Sequence, residues 1–204
     1  MKRSVTGMVL ALLAFFLLVG SGVVRAADQK TREPDVESRP VQVKLQDLQL
    51  VDQNGKKVRF RSDVIGDKLV AIDVFFSTCG LVCPILSAIF ADLQDQLGDR
   101  LGRDVLLVSI TVDPKTDVPR RLKEYATRWD AKPGWIFLTG EKHDVDRVLE
   151  GIGAYTVDFA SHPTMILVGD GRSGDWTRFY GFATPDQVMG RIGELTTARQ
   201  TKTP

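Results

Sequence analysis

Residues Leu69 to Phe76 form a largely apolar, strand-length run, and a run without alternation fits a central strand covered on both faces. Before it, Leu48–Val51 and Val58–Phe60 flank Asn54-Gly55, a pair that takes the positive φ values of tight turns, and together they predict a β-hairpin. From Pro84 the period becomes helical: Ile85, Leu86, Ile89, Phe90, Leu93 and Leu97 fall on one face, with Pro84 in the first turn and Gly98 as the stop. Val105–Val112 predicts a second buried strand, ending at Asp113-Pro114. Asp117 is then placed to cap a helix with the apolar face Val118, Leu122, Tyr125, Ala126 and Trp129. A third strand is predicted at Trp135–Leu138 and a short helix at Asp144–Ile152. Met165–Val168 and Trp176–Tyr180 read as two strands around a turn at Gly171 to Gly174. The last helix follows Thr184-Pro185-Asp186-Gln187, where threonine and the glutamine three positions later form a capping-box pattern. The pattern predicts an α/β fold: a central mixed β-sheet flanked by helices, with an N-terminal hairpin.

The N-terminal end reads differently. Lys2 and Arg3 precede an apolar run from about Met8 to Val19, followed by the small-residue exit Val24-Arg25-Ala26-Ala27. Residues 1–26 therefore predict a signal peptide or a membrane anchor, since Gly7 to Val24 is about long enough to span a bilayer. The expected location is outside the cytoplasm, in a bacterial periplasm, with an inner-membrane tether if the segment stays uncut. No cysteine follows the apolar run, which excludes a lipid anchor at this position. Residues 27–41, with alternating charges and two prolines, predict a flexible tether; the folded domain is expected over 42–200, with 201–204 as a tail. The chain's 27 basic and 26 acidic residues are nearly balanced, and loss of Lys2, Arg3 and Arg25 leaves about −2. With no basic tract, there is no electrostatic footprint for nucleic acid or an anionic membrane face.

Chemistry concentrates in Ser77-Thr78-Cys79-Gly80-Leu81-Val82-Cys83-Pro84, which holds both cysteines of the chain at the join between strand and helix. A disulfide over so short a loop removes only about 2 kcal/mol of unfolded-chain entropy, so the pair reads as redox-active or metal-binding rather than as a staple. Amides and dipole at a helix start favour thiolate, and soft sulfur ligands suit Cu(I) or Zn(II) better than Mg(II) or Ca(II). In an oxidising compartment a working dithiol also implies a thiol reductant as partner.

An apolar strand, a two-cysteine turn, a helix and a later Pro-Thr-apolar strand resemble the thioredoxin superfamily. In such a fold the loop Ser161-His162-Pro163-Thr164 abuts the cysteine turn, making His162 a candidate third ligand. His143, among Glu141, Lys142 and Asp144, reads instead as a solvated polar residue. Phe75-Phe76-Ser77-Thr78-Cys79-Gly80-Leu81-Val82-Cys83-Pro84, Val112-Asp113-Pro114-Lys115-Thr116-Asp117-Val118-Pro119 and His162 together resemble the Sco/SenC family over about residues 45 to 198. The resemblance implies a thioredoxin-like fold and copper held by Cys79, Cys83 and His162. It also implies a role in assembling the copper centre of cytochrome c oxidase, with the copper-receiving apo subunit, or another exported cuproprotein, as partner. In that role the protein donates Cu(I) or reduces thiols of the apo subunit.

Two departures keep other chemistry open. Many copper-handling members carry an acid between the cysteines, where this chain has Gly80, Leu81 and Val82; and His162-Pro163-Thr164 resembles the cis-proline loop of thioredoxin-like oxidoreductases. A metal-independent thiol-disulfide oxidoreductase, with Cys79 as attacking sulfur, is the alternative. A thiol peroxidase fits less well, because Phe76 and Gly80 stand where its threonine would be expected. Met165 at the head of a strand reads as core, Asp113 as the end of a strand before a turn proline, and Trp129, Trp135 and Trp176 as core or edge aromatics.

Overall fold

The computed structural model describes residues 36–201. The expected signal peptide or anchor, most of the tether and the last three residues lie outside them. Eight strands form one sheet in the order β1-β8-β7-β4-β5-β6-β2-β3: β1 (Ser38–Pro40), β2 (Gln49–Asp52), β3 (Lys57–Arg59), β4 (Leu69–Phe75), β5 (Val105–Thr111), β6 (Trp135–Thr139), β7 (Met165–Asp170) and β8 (Trp176–Tyr180). β4, β5 and β6 are parallel, whereas β7 runs antiparallel to β4, and β8 to β7. The crossovers from β4 to β5 and from β5 to β6 are the helices α1 (Val82–Leu97) and α2 (Pro119–Arg128); α3 (Lys142–Gly151) follows β6 and α4 (Pro185–Thr201) follows β8.

The period-2 rule explains how β4 feeds two cores. Leu69, Ala71 and Phe75 pack with Leu86, Phe90 and Leu93 of α1, Leu122 of α2 and Val188 and Ile192 of α4. Val70, Ile72 and Val74 face the other way, against Val145, Val148 and Leu149 of α3 and Leu50 and Val58 of the hairpin. Every residue of β4 and β5 is buried, as an uninterrupted apolar run requires. The hairpin closes through Asp52, whose Oδ1 accepts from Asn54 N at 2.8 Å and Lys56 N at 2.9 Å, with Gly55 at φ 79°.

Four expectations are corrected. The sheet reaches into the expected tether: Ser38–Pro40 pairs antiparallel with β8, where Pro40 is tolerated because the strand is an edge. Helix α1 carries Pro84 in its first turn as expected, with Cys83 in the same turn, but Ile85, expected on the buried face, is 44% exposed. The buried face of α1 turns instead through Ser87 and Gln94. Ser87 Oγ lies 2.8 Å from Tyr125 Oη, and Gln94 Nε2 donates to the carbonyls of Trp129 and Asp130 at 3.3 and 3.2 Å. Val118 is also 44% exposed, and it, not Asp117, is the N-cap of α2; no side chain caps that helix. Pro119 at the first position has no amide to satisfy, which lowers the demand for a cap. Met165, Trp135 and Trp176 are buried as expected.

The capping box of α4 forms reciprocally, with Gln187 Oε1 accepting from Thr184 N at 2.9 Å and Thr184 Oγ1 from Gln187 N at 3.3 Å. Thr184→Ala should cost about 1 kcal/mol, read as a lower urea midpoint at unchanged slope.

Candidate functional site

The site is assembled at the end of β4 where the chain leaves the sheet. Phe76 to Leu81 cross to α1, and Cys79 N donates to Phe76 O at 3.1 Å, closing a turn. Both cysteines are free; Cys79 is half-buried and Cys83 buried. Cys83 N donates to Cys79 Sγ at 3.4 Å, so the first turn of α1 aims an amide at the first sulfur. Partial burial pushes the Cys79 thiol up, yet the Cys83 thiol and the amides of Cys83, Leu81 and Val82 together outweigh it and leave its pKa below the ordinary value. Burial pushes Cys83 the other way, to about 12, and the hydrogen bond with Cys79 adds to the rise. The two sulfurs are thus differentiated: one is half-buried and activated, the other inside and protonated.

His162 is the C-cap of a short 3-10 turn, Phe159–Ser161, and stands in the loop that leads into β7. Its Nε2 lies 4.0 Å from Cys83 Sγ and its Nδ1 3.2 Å from Pro163 O. A carbonyl only accepts, so Nδ1 carries the proton and Nε2 turns a lone pair toward the sulfur. Burial lowers the His162 pKa, against the Pro163 carbonyl, and the ring stays neutral at pH 7. Phe76 packs edge-on to both His162 and Phe159, with ring centroids 5.8 and 5.3 Å apart. The resemblance to a cis-proline loop does not hold, since no cis peptide occurs among the described residues. His162 takes φ −59° and ψ 148°, the extended conformation favoured before a trans proline.

The three residues expected as ligands thus meet in one place. No three His, Cys, Asp or Glu side chains among the described residues are close enough to enclose a metal ion, so the set is gathered but not closed. His143 is exposed on α3 and pairs with Asp144 at 3.1 Å, as its surroundings in sequence predict.

Two carboxyl groups belong to this region without having been expected there. Asp117 is buried and accepts from Ser77 N at 3.0 Å, from Ser77 Oγ and from Thr111 Oγ1 at 2.6 Å. Forty residues separate Asp117 from Ser77, so no local pattern announces the contact. Asp73 lies in the middle of β4, fully buried, with no partner for either carboxyl oxygen at hydrogen-bond geometry. Burial pushes its pKa up to about 7, and the Ser109 hydroxyl, opposite it in register, offsets only part of that. Here the signal was visible: an acid inside an apolar run.

The SCO1/SenC family profile matches residues 36–198. The chain belongs to that family. It is 33% identical over 102 residues to the SCO1 protein homolog of Bacillus subtilis, a match covering 50% of this chain and 51% of that protein. The chain thus spans about half the length of the curated relatives it matches. Among solved structures, a SCO1/SenC family lipoprotein from Bacillus anthracis superposes with TM-score 0.67 at 25% identity, covering 78% of this chain and 98% of that one. ScoI of Bradyrhizobium japonicum, solved with copper bound, gives TM-score 0.62 at 24% identity, covering 74% and 98%. The fold of these SCO1/SenC proteins, and of this one, is thioredoxin-like: β4-α1-β5 and β7-β8-α4 supply its two halves, in the sheet order β8-β7-β4-β5.

Proposed function

We propose that this SCO1/SenC chain binds one Cu(I) through Cys79, Cys83 and His162, and serves assembly of the copper centre of cytochrome c oxidase outside the cytoplasm. The observation that carries the reading is the lone pair of His162 Nε2 facing Cys83 Sγ at 4.0 Å, with Cys79 Sγ against the Cys83 amide. Two donors of one metal ion, each bonded at about 2.0–2.3 Å, stand somewhat closer than that, so a small adjustment brings the pair to ligating distance. Two sulfurs and one imidazole form a soft set that fits Cu(I) and gives oxygen-preferring ions little. Bound copper would supply a thiophilic charge that a partner's sulfur ligands can take over. The copper-bound relative, the lipoprotein relative and the apolar segment before Ala26 support this reading.

The split between the two sulfurs favours a second activity at the same site. Cys79 thiolate attacks one sulfur of a partner disulfide, forming a mixed disulfide and releasing the partner's other sulfur as a thiolate. Cys83, after losing its proton to that thiolate, attacks Cys79 Sγ; the Cys79–Cys83 disulfide forms and the partner leaves reduced, one sulfur as thiol and the displaced one as thiolate, two electrons having moved. Either role needs the reduced pair, so an external thiol reductant belongs to the cycle.

Anaerobic titration of the reduced full chain against a chromophoric Cu(I) chelator should give one tight copper per chain, and oxidation to the Cys79–Cys83 disulfide should abolish it. Equal binding by the oxidised and reduced forms would remove the dithiol from the site.

A further inference from the structure

We infer that Asp117 is a positioning residue for the cysteine pair, holding through Ser77 the turn that carries Cys79. The inference rests on the copper and thiol reading only for what the pair does once it is in place. Ser77 stands two residues after β4 and two before Cys79, and both its backbone and its hydroxyl donate to the Asp117 carboxylate. The third donor, Thr111 Oγ1, sits at the end of β5, directly opposite Phe75 in parallel register. Val112 N donates to Phe75 O at 2.8 Å, so the two strands are still joined where they end. The anchor is itself rigid: Asp113 N donates to Thr111 Oγ1 at 3.0 Å, and Asp117 N to Asp113 O at 2.9 Å. Asp117 therefore belongs to a closed loop of hydrogen bonds, and its carboxylate projects from that loop into the cysteine turn.

Energetics sharpen the assignment. A buried carboxylate is expensive, and no cation pairs with Asp117 among the described salt bridges. An apolar side chain of similar size could fill the space at lower cost, if filling were its use. What the carboxylate adds is directional: of its three donors, two belong to the residue that leads into the cysteine turn. Capping α2, the role expected for an aspartate before Val118-Pro119, is absent. The Asp113–Asp117 segment is thus a strut between the ends of two parallel strands and the turn that carries Cys79.

The test compares the full chain with Asp117→Asn, Asp117→Ala and Ser77→Ala by two measurements. In the metal-free reduced proteins, hydrogen exchange at the Ser77 and Cys79 amides should accelerate by about tenfold or more in the Asp117 variants, while Ile72 in β4 keeps its protection. A residue that only stabilised the fold would loosen all three amides together. Cu(I) affinity should fall by about 10–100-fold, the range for residues that orient a ligand without touching the metal. Should Asp117→Ala not fold, Asp117→Asn and Ser77→Ala carry the test; Ser77→Ala keeps the amide donor and should show the same pattern at smaller size. Folded variants with unchanged exchange at Ser77 and Cys79, or with loosened exchange and unchanged copper affinity, overturn the inference. If the unaltered protein takes up no Cu(I), it is the copper reading that fails, and exchange alone decides this one.

Discussion

His162→Ala should weaken Cu(I) binding by the reduced protein by at least about 100-fold, above the range of about 10–100-fold that losing an outer partner of a metal site costs. The imidazole is prepared for the role before any metal arrives. Donation from Nδ1 to Pro163 O fixes the tautomer, and the lone pair on Nε2 then has a single direction, toward Cys83 Sγ. Burial keeps the ring neutral at pH 7, so no proton has to be displaced there. Protonation competes only at a pH below the ordinary histidine range, where affinity should drop in the unaltered protein but stay flatter in His162→Ala. Two sulfurs remain in that variant and copper still binds; Cys79→Ala and Cys83→Ala each leave one sulfur and should lose more. His143→Ala, an exposed residue on α3, is the control and should bind as the unaltered chain does. A competition titration reads all of these. Equal affinity in His162→Ala and the unaltered chain would reduce the site to a bare dithiol.

How much of this was legible in the sequence follows the range over which each signal acts. The hairpin, the three parallel strands and the capping box are local patterns, and each stands where its residues placed it. Cys79 and Cys83 were legible for the same reason, four residues apart beside a helix start. His162 could be assigned only through the resemblance, since 79 residues separate it from Cys83 and nothing in its own loop marks it. Asp117 shows the limit from the other side. An aspartate before a proline at a helix start satisfies the local rule for a cap, but donors from β5 and the cysteine turn offered its carboxylate more than the amides of α2 did. Ile85 and Val118 failed likewise: helical spacing gives a face, and the neighbours decide how wide it is. Ser38–Pro40 was hidden because three polar or constrained residues form a strand only when β8 is already there to pair with.

Asp73→Asn should make the protein more stable above neutral pH, by up to about 4 kcal/mol, and remove much of its pH dependence between pH 4 and 7. The folded-state pKa of Asp73 is raised from 3.8 to about 7, so over that interval the folded chain holds a proton that the unfolded chain has lost. Stability contributed by the neutral acid is therefore complete below pH 3.8 and is lost as pH rises through 7, about three units at 1.36 kcal/mol each. Asparagine keeps the shape and carries no charge; its amide is left as poorly partnered as the neutral acid, and that cost cancels in the comparison. Urea unfolding of both proteins at pH 4, 5.5, 7 and 8.5 checks it, the expectation being curves that coincide at pH 4 and separate upward. Parallel curves would mean that Asp73 titrates normally, with water reaching it. The residue lies on the side of β4 that faces α1, and its charge adds to the burial and the Cys79 contact that push the Cys83 thiol up. Asp73→Asn should therefore also lower the pKa of Cys83 from about 12. The cost of keeping this acid in a fully buried strand falls where its charge reaches the inner sulfur. In the thiol exchange proposed for this site, ionised Asp73 makes loss of the Cys83 proton harder.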